Sequence, residues 1–550
     1  MKKISVLALA GLLSLPALAA AGGGEGPSVT DLERKVEALT RELDELKGLV
    51  GELKAKKPDA GPGQEIQALK GQMADLKNDT ESALASLDER AEEWDLSSRF
   101  SLYGDFRARL DYVNAKSPAH FGAFDVANFF AGNIPGAIAP PLTPAGEFNN
   151  DTLMTNRFRL NMRVKAMENL DFKGRLAMYK IWGMQSNQVN PTGNGPFLLS
   201  SLAFDGSSTR QPQDSILRVD RAYVNWNNIG DHPIWFSIGR RPTSDGPPGQ
   251  LRQGIDERMA TPTAYMDYPF DGLTLGYAYF NPFPGRIRFC YGRGFEAGPF
   301  KDGGGLNDVD FAGISWDVYD KDNRFLTVQS FGAFNMFNVP GDVTFPNPNE
   351  LAGLVPGNGI IDRTNLGNIY HTTGTYLAKV NDLNYFLALG WSRTDPSGYD
   401  EVNNSLLTSP TATGGRAPLE DKNGYSVYAG VRYDMPAKPF KLGLEYNYGS
   451  EDWIAFTPGH DDIYASKLAV RGHAAEAYAI WDIPAGEAIS KYASAFMRLG
   501  YMHQWYDFTG SGNWYGAPTD IDNLAFPQNA QFFAPMEDLD QVYLSMDVYF

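Results

Sequence analysis

From Phe100 to Phe550 the chain returns again and again to strict alternation of apolar and polar residues, and this period of two limits its fold more than any other feature. Successive Cβ atoms of a strand point to opposite faces, so alternation separates one apolar face from one polar face. "RFRLNMRVKAM" sets Phe158, Leu160, Met162, Val164 and Ala166 against Arg157, Arg159, Asn161, Arg163 and Lys165. About sixteen such segments are predicted, at 99–113, 153–167, 170–183, 215–227, 233–240, 271–281, 285–293, 308–319, 324–337, 366–380, 383–394, 424–434, 440–449, 467–482, 491–507 and 540–550. Around Arg221 the parity slips, which marks a bulge or a miscounted register. The 57 Gly, 33 Phe and 27 Tyr suit a β-rich chain with many turns.

Links after even-numbered segments are short, for example "ENLD", "NNIGD" and "YDKDN". Those after odd-numbered segments are mostly long and rich in Gly, Pro, Asn and Asp: 114–152, 184–214, 241–270, 338–365, 395–423 and 508–539. An antiparallel barrel crossing a membrane has this asymmetry, with tight turns on one side and long loops on the other. No helical sequence follows residue 97 to cover the apolar face. Lipid can cover it, provided the sheet closes so that no backbone edge meets hydrocarbon. The expected fold is therefore an all-β transmembrane antiparallel barrel of about sixteen strands over 97–550. Such a barrel has lipid outside and an aqueous lumen inside.

Two segments precede it. Lys2 and Lys3, an apolar run from Ile4 to Leu18 and small residues near Ala19 and Ala21 predict a secretory signal over 1–21. Residues 22–96 read as an α-helical coiled-coil segment in the periplasm, broken near 57–63 by Pro58 and "GPG". Its seam is Val29, Leu32, Val36, Leu39, Leu43, Leu46, Val50 and Leu53 at alternating spacings of three and four. Either an intrachain hairpin or an interchain stalk satisfies the pattern.

With the signal, the heptads and the closing strand "DQVYLSMDVYF" in view, the chain resembles the bacterial outer-membrane porins of the sixteen-stranded type with an N-terminal periplasmic coiled coil. The resemblance implies an outer-membrane location and a homotrimer. It further implies that Val542, Leu544, Met546, Val548 and terminal Phe550 form the signal read by the outer-membrane assembly machinery. It also implies that the link between strands five and six folds inward to constrict the channel; its charged residues are Arg240, Arg241, Asp245, Arg252, Asp256, Glu257 and Arg258.

The lumen parity predicts a basic wall of Arg107, Arg109, Arg157, Arg159, Arg163, Lys165, Lys173 and Arg175, opposed there only by Asp105 and Asp111. Arg218, Arg286 and Arg288 are further inward candidates, and Cys290 falls on the same parity as a small filler. The wall serves either to favour anions, since low-dielectric walls focus such a field, or to stiffen the barrel through ion pairs. Tyr112, Trp182, Trp226, Tyr279, Trp391 and Trp453 are expected in the interfacial girdles.

A net charge of -18 argues against a nucleic-acid partner. One Cys and six His, with no HExxH, GxSxG or P-loop, give no support to a metal site, a cofactor or an enzyme. The leading expectation is passive diffusion of small hydrophilic solutes through a water-filled barrel. The alternatives are a sheath for a partner such as an electron-transfer cytochrome, and a membrane-to-cell-wall tether that contacts peptidoglycan through the coiled coil.

Overall fold

Sixteen long strands form in the order that the alternation predicts. The structure, a computed structural model, describes residues 99–550 except 131, 133, 135, 184–211, 213–214, 259–261, 298–305, 339–342, 345–359, 362, 412–413, 458–460, 464–465, 487–492 and 532–533. The predicted signal and coiled-coil seam lie outside the described residues. The first eight strands are β1 (Phe100–Ser117), β2 (Gly146–Met167), β3 (Leu170–Ile181), β4 (Arg218–Trp226), β5 (Ile234–Arg241), β6 (Phe270–Tyr279), β7 (Gly285–Phe295) and β8 (Val309–Lys321). The remaining eight are β9 (Arg324–Phe337), β10 (Asn365–Val380), β11 (Leu383–Pro396), β12 (Asn423–Asp434), β13 (Phe440–Gly449), β14 (Gly472–Asp482), β15 (Ser494–Tyr506) and β16 (Asp538–Tyr549).

Each strand pairs antiparallel with its neighbours, and β1 pairs with β16 from Asp105↔Tyr549 to Lys116↔Asp538, closing the barrel. Phe550 adds a last rung, its N–H donating to the Gly104 carbonyl at 3.0 Å and its carbonyl accepting from the Gly104 N–H at 2.9 Å. The barrel sheet itself therefore leaves no edge to face hydrocarbon unpaired. The slip near Arg221 is a true register shift: Arg175 faces Arg221 while Leu176 faces Val219, so Asp220 is the extra residue. The largest boundary shifts are at β2, which begins at Gly146 rather than 153, and at β14, which begins at Gly472 rather than 467. In the two-residue link Asp322-Asn323 the φ angles are 54° and 59°; two consecutive left-handed residues match the twist of a hairpin.

The outer face is apolar. Along β11, Leu387 and Leu389 are 44% and 50% exposed, while Ala388 between them is 1% exposed. The same alternation exposes Leu275, Ile314, Leu444 and Leu499, together with Val542, Leu544 and Met546 of the closing strand. A continuous belt of this kind is stable when lipid covers it.

On the inner face, bulky rings lie over glycines of the neighbouring strand. A Cβ on Gly500 would stand 2.2 Å from the Tyr543 ring, one on Gly443 2.1 Å from Tyr478, and one on Gly276 2.2 Å from Trp235. Tyr543 also carries polar contacts, since its hydroxyl donates to Glu476 at 2.5 Å and the guanidiniums of Arg109 and Arg498 lie 4.3 and 5.1 Å from its ring centroid. Gly500→Ala should therefore force the ring aside, with an overpacking cost of about 1–3 kcal/mol. The expected result is a lower urea midpoint for the refolded barrel in lipid vesicles, followed by tryptophan fluorescence. An unchanged midpoint would mean that the ring is not seated there.

The core sits inside the barrel. Long links beyond those predicted occur at 296–308 and 450–471. One buried cluster combines wall residues Phe311, Phe331 and Phe337 with loop residues Met266, Leu406, Leu407, Ile454, Phe456 and Trp514. A second combines Leu251, Tyr265, Trp453 and Leu468 of the loops with Phe386 and Tyr428 of the wall. The expected aqueous lumen is thus partly filled: loops that carry their own apolar side chains have folded into it.

Candidate functional site in the bore

Two of these loops supply the charged groups of the interior. The first, 242–269, contains a short helix, Gly249–Arg252, whose four residues are all buried. The second is 450–471, in which the Ser466 hydroxyl caps a short 3-10 turn, Lys467–Ala469, by accepting from the Leu468 N–H. They are joined through their backbones: the Asp267 N–H donates to the Phe456 carbonyl at 2.8 Å, and the Phe456 N–H to the Tyr265 carbonyl at 3.2 Å. Trp453, expected in the lipid girdle, is wholly buried here instead. Its indole N–H donates to the Leu468 carbonyl at 2.8 Å, and its ring fills the space above Gly390.

Both loops deliver carboxylates to the arginines of the wall. Asp461 bonds Arg107 at 2.7 Å and Arg157 at 2.9 Å, with Arg498 at 3.5 Å. Asp245 bonds Arg175 at 2.8 Å and both Arg159 and Arg221 at 3.1 Å. The wall adds Asp105, which pairs with Arg157 at 2.9 Å and Arg159 at 2.7 Å, and Asp220, which pairs with Arg175. Arg252 of the first loop lies between Asp462 of the second at 2.5 Å and Glu476 of β14 at 2.8 Å. The contact with Asp462 is an ion pair without hydrogen-bond alignment, since Asp462 Oδ1 has no hydrogen-bond donor. Lys467 joins Glu445 of β13 to Glu476, the latter at 2.5 Å. Counting Arg109 with Asp111 and Arg157 with Asp547, nine cations meet nine carboxylates in this network. Groups so far from water are stable only when paired, and here each cation has a counter-ion.

The predicted wall residues thus share one face but divide in environment. Arg107, Arg109, Arg157, Arg159 and Arg175 are buried in the network. Lys173 stands opposite Arg163 and Lys165 opposite Asp171 near the short 168–169 turn, where Arg163 is half exposed and pairs with Asp171 at 2.9 Å. Arg218 lies on the inner parity of β4; Arg286 and Arg288 share Asp317. Of the predicted constriction residues, Arg240 and Arg241 belong to β5 itself. Arg240 has the outward parity of Ile238 and pairs with Asp271 at 3.3 Å, so it does not face the bore. Farther along the loop, Asp256 meets Arg432 and Arg258 meets Asp320 at 2.6 Å, close to the short-turn end of the barrel, and Glu257 is exposed.

Sequence reasoning missed Asp461, Asp462, Lys467, Glu445, Glu476 and Arg498. A usable signal existed in "WIAFTPGHDDIYASKLAV": a loop with Trp453, Ile454, Phe456, Leu468 and Val470 has apolar surface to bury.

Burial shifts the two adjacent loop acids in opposite directions. For Asp461 burial alone would raise the pKa, but the guanidiniums of Arg107, Arg157 and Arg498 outweigh it and hold the carboxyl well below the ordinary range. For Asp462 burial wins over Arg252 and Lys467, and the pKa is raised. A depressed carboxyl contributes docking stability that is present above its ordinary pKa and is lost only as pH falls through the depressed value. A raised one opposes docking at neutral pH and ceases to do so as it takes up a proton. Mild acidification from pH 7 to about 4, near the ordinary Asp value, should therefore leave the 450–471 loop in place. Proteolysis of that loop in detergent should be no faster at the acid end, and a sharp rise between those values would contradict the assignment.

Residues 147–550 match the model of a family described as "Protein of unknown function (DUF3373)". The chain belongs to that family. No curated protein matches it. Among solved structures it is similar to trimeric, in-vitro folded OmpT of Vibrio cholerae, at 12% identity and a TM-score of 0.37, covering 82% of this chain and 99% of that one. It is also similar to an anion-selective porin from Comamonas acidovorans, at 10% identity and a TM-score of 0.39, with the same coverage of both chains. A third is OmpF of Salmonella typhi in complex with daunomycin, at 10% identity and a TM-score of 0.37, covering 82% and 97%. For this member of the family the barrel is established by its own strand register.

Proposed function

We propose that this chain is an outer-membrane porin that passes small hydrophilic solutes by passive diffusion, with a mild preference for anions, through the part of the bore its inward loops leave open. One observation carries the reading: a closed sixteen-stranded barrel has an apolar exterior and an interior lined with charge. A purely structural anchor gains nothing from burying so many ions, which cost more to desolvate than an apolar core of the same volume. Because the main network is balanced, the anion preference rests on cations outside it, Lys173 and Arg241, on one arc of wall. Sheathing a cytochrome is the weaker reading, because the loops occupy the space such a partner would need. Homotrimer formation, recognition of the Val542 to Phe550 strand by the assembly machinery, and a periplasmic coiled coil that touches peptidoglycan belong to the same proposal.

The test is single-channel recording in planar bilayers under a salt gradient. Stable openings with a reversal potential displaced toward the anion are expected. Insertion without conductance would overturn the proposal. The protomer count in mild detergent, with and without residues 28–95, tests whether the N-terminal segment holds a trimer together.

A further inference from the structure

Between the inner face of β5–β9 and the first loop lies a cavity that the charge network does not use. Its empty volume, mouth included, is about 660 Å³. The sequence creates it by leaving the wall bare. Gly272 faces Gly292, Thr274 faces Cys290, and Cys290 faces Gly313 on its other side, so no large side chain fills this patch. Phe270, Phe311 and Phe331 border it, with ring centroids 4.5 Å apart for the first pair and 6.0 Å for the second, and Met266 closes it from the loop.

One charged group lines this apolar slot without a counter-ion. Among the described residues no carboxylate lies within ion-pair distance of Arg241, and its Nε and Nη1 are buried without an acceptor. Its guanidinium lies 5.4 Å from the centroid of the Tyr223 ring. Neighbouring Arg288, by contrast, is held by Asp317 at 3.0 Å and Ser315 at 2.8 Å. Buried donors with no acceptor are costly, and next to an empty cavity they mark the place of an absent one. A guanidinium edge matches the two oxygens of a carboxylate. The remaining walls match a flat apolar body, since ring faces and edges stack on one another.

We infer that this cavity is a binding subsite for small aromatic monocarboxylates, with the carboxylate on Arg241 and the ring among Phe270, Phe311 and Phe331. The inference rests on the porin reading only for how such a solute arrives. A ligand in the slot would stand against the Sγ of Cys290, the one cysteine of the chain.

That thiol supplies the test. The full-length protein in detergent is treated with N-ethylmaleimide, and modification of Cys290 is followed by mass, with benzoate as the probe. Benzoate should slow the reaction about tenfold at about ten times its Kd, by mass action. Benzyl alcohol, which keeps the ring without the charge, and acetate, which keeps the charge without the ring, should not. Protection should disappear in Arg241→Gln and return in part in Arg241→Lys. Equal protection by the two comparison compounds, or protection that survives Arg241→Gln, would overturn the inference. Should Cys290 resist the reagent, fluorine NMR line broadening of para-fluorobenzoate by the wild type but not by Arg241→Gln decides instead, and equal broadening by both counts against the site. Bilayer conductance separates the two claims: a silent barrel that binds benzoate keeps the subsite and loses the porin, and a conducting barrel that does not bind it does the reverse.

Discussion

Replacing Asp461 with asparagine should release the 450–471 loop and raise single-channel conductance several-fold. Asp461 is the ion-pair partner of Arg107 and a shared partner of Arg157 and Arg498, all buried. Removing one member of a buried pair leaves the other charge uncompensated, at a cost of about 3–5 kcal/mol, or about two to four decades in the docking equilibrium. The substitution isolates charge from backbone. Asp461 sits at φ 67°, in the left-handed region that asparagine tolerates as well as aspartate does, and the two side chains have nearly the same volume. The barrel keeps its closure, because the β1 to β16 ladder does not involve the loop. Conductance equal to the wild type, with the loop equally resistant to protease, would mean that the network does not hold it.

Asp245→Asn should change selectivity more than conductance. Asp245 also lies at positive φ, 64°, and it balances Arg159, Arg175 and Arg221 at once. Neutralising it adds one uncompensated positive charge on the arc that already carries Lys173 and Arg241. Its loop retains other ties to the wall, through Arg252 bound to Glu476 at 2.8 Å and through the Arg498 guanidinium, which donates to the Arg252 carbonyl at 2.6 Å. In a low-dielectric bore one added charge shifts ion partition strongly. The reversal potential in a salt gradient should move toward the anion, with conductance within a factor of about two of the wild type if the loop stays docked, as its remaining ion pair predicts. A shift toward the cation would contradict the charge balance described for the bore.

The two variants probe what the sequence disclosed and what it concealed. Strand order, closure and the facing of "RFRLNMRVKAM" follow from a local rule, alternation, which a single segment can display. Residues that pair across the bore obey no local rule. Arg107 and Asp461 are 354 positions apart, and nothing about "GHDDIY" announces three arginines as its partners. Arg240 shows the opposite failure: next to Arg241 at the end of β5 it was grouped with the constriction by proximity, although a period of two must send one of two neighbours outward. Trp453 is expected in the interfacial girdle because it follows the end of a strand, yet it is buried among the apolar residues of its own loop and the wall. The acids of the loops were equally visible as residues and invisible as counter-ions.

All of this depends on which face of the sheet meets lipid. With Cys290 replaced by serine, single cysteines at positions 387, 388 and 389 of β11 can carry a spin label in reconstituted vesicles, where collisions with oxygen report lipid and collisions with a water-soluble nickel chelate report solvent. Labels at 387 and 389 should collide freely with oxygen and hardly with the chelate, and the label at 388 should be shielded from both. Ready collision with the chelate at 387 and 389 would place the apolar face in water and contradict the barrel as a membrane-spanning conduit.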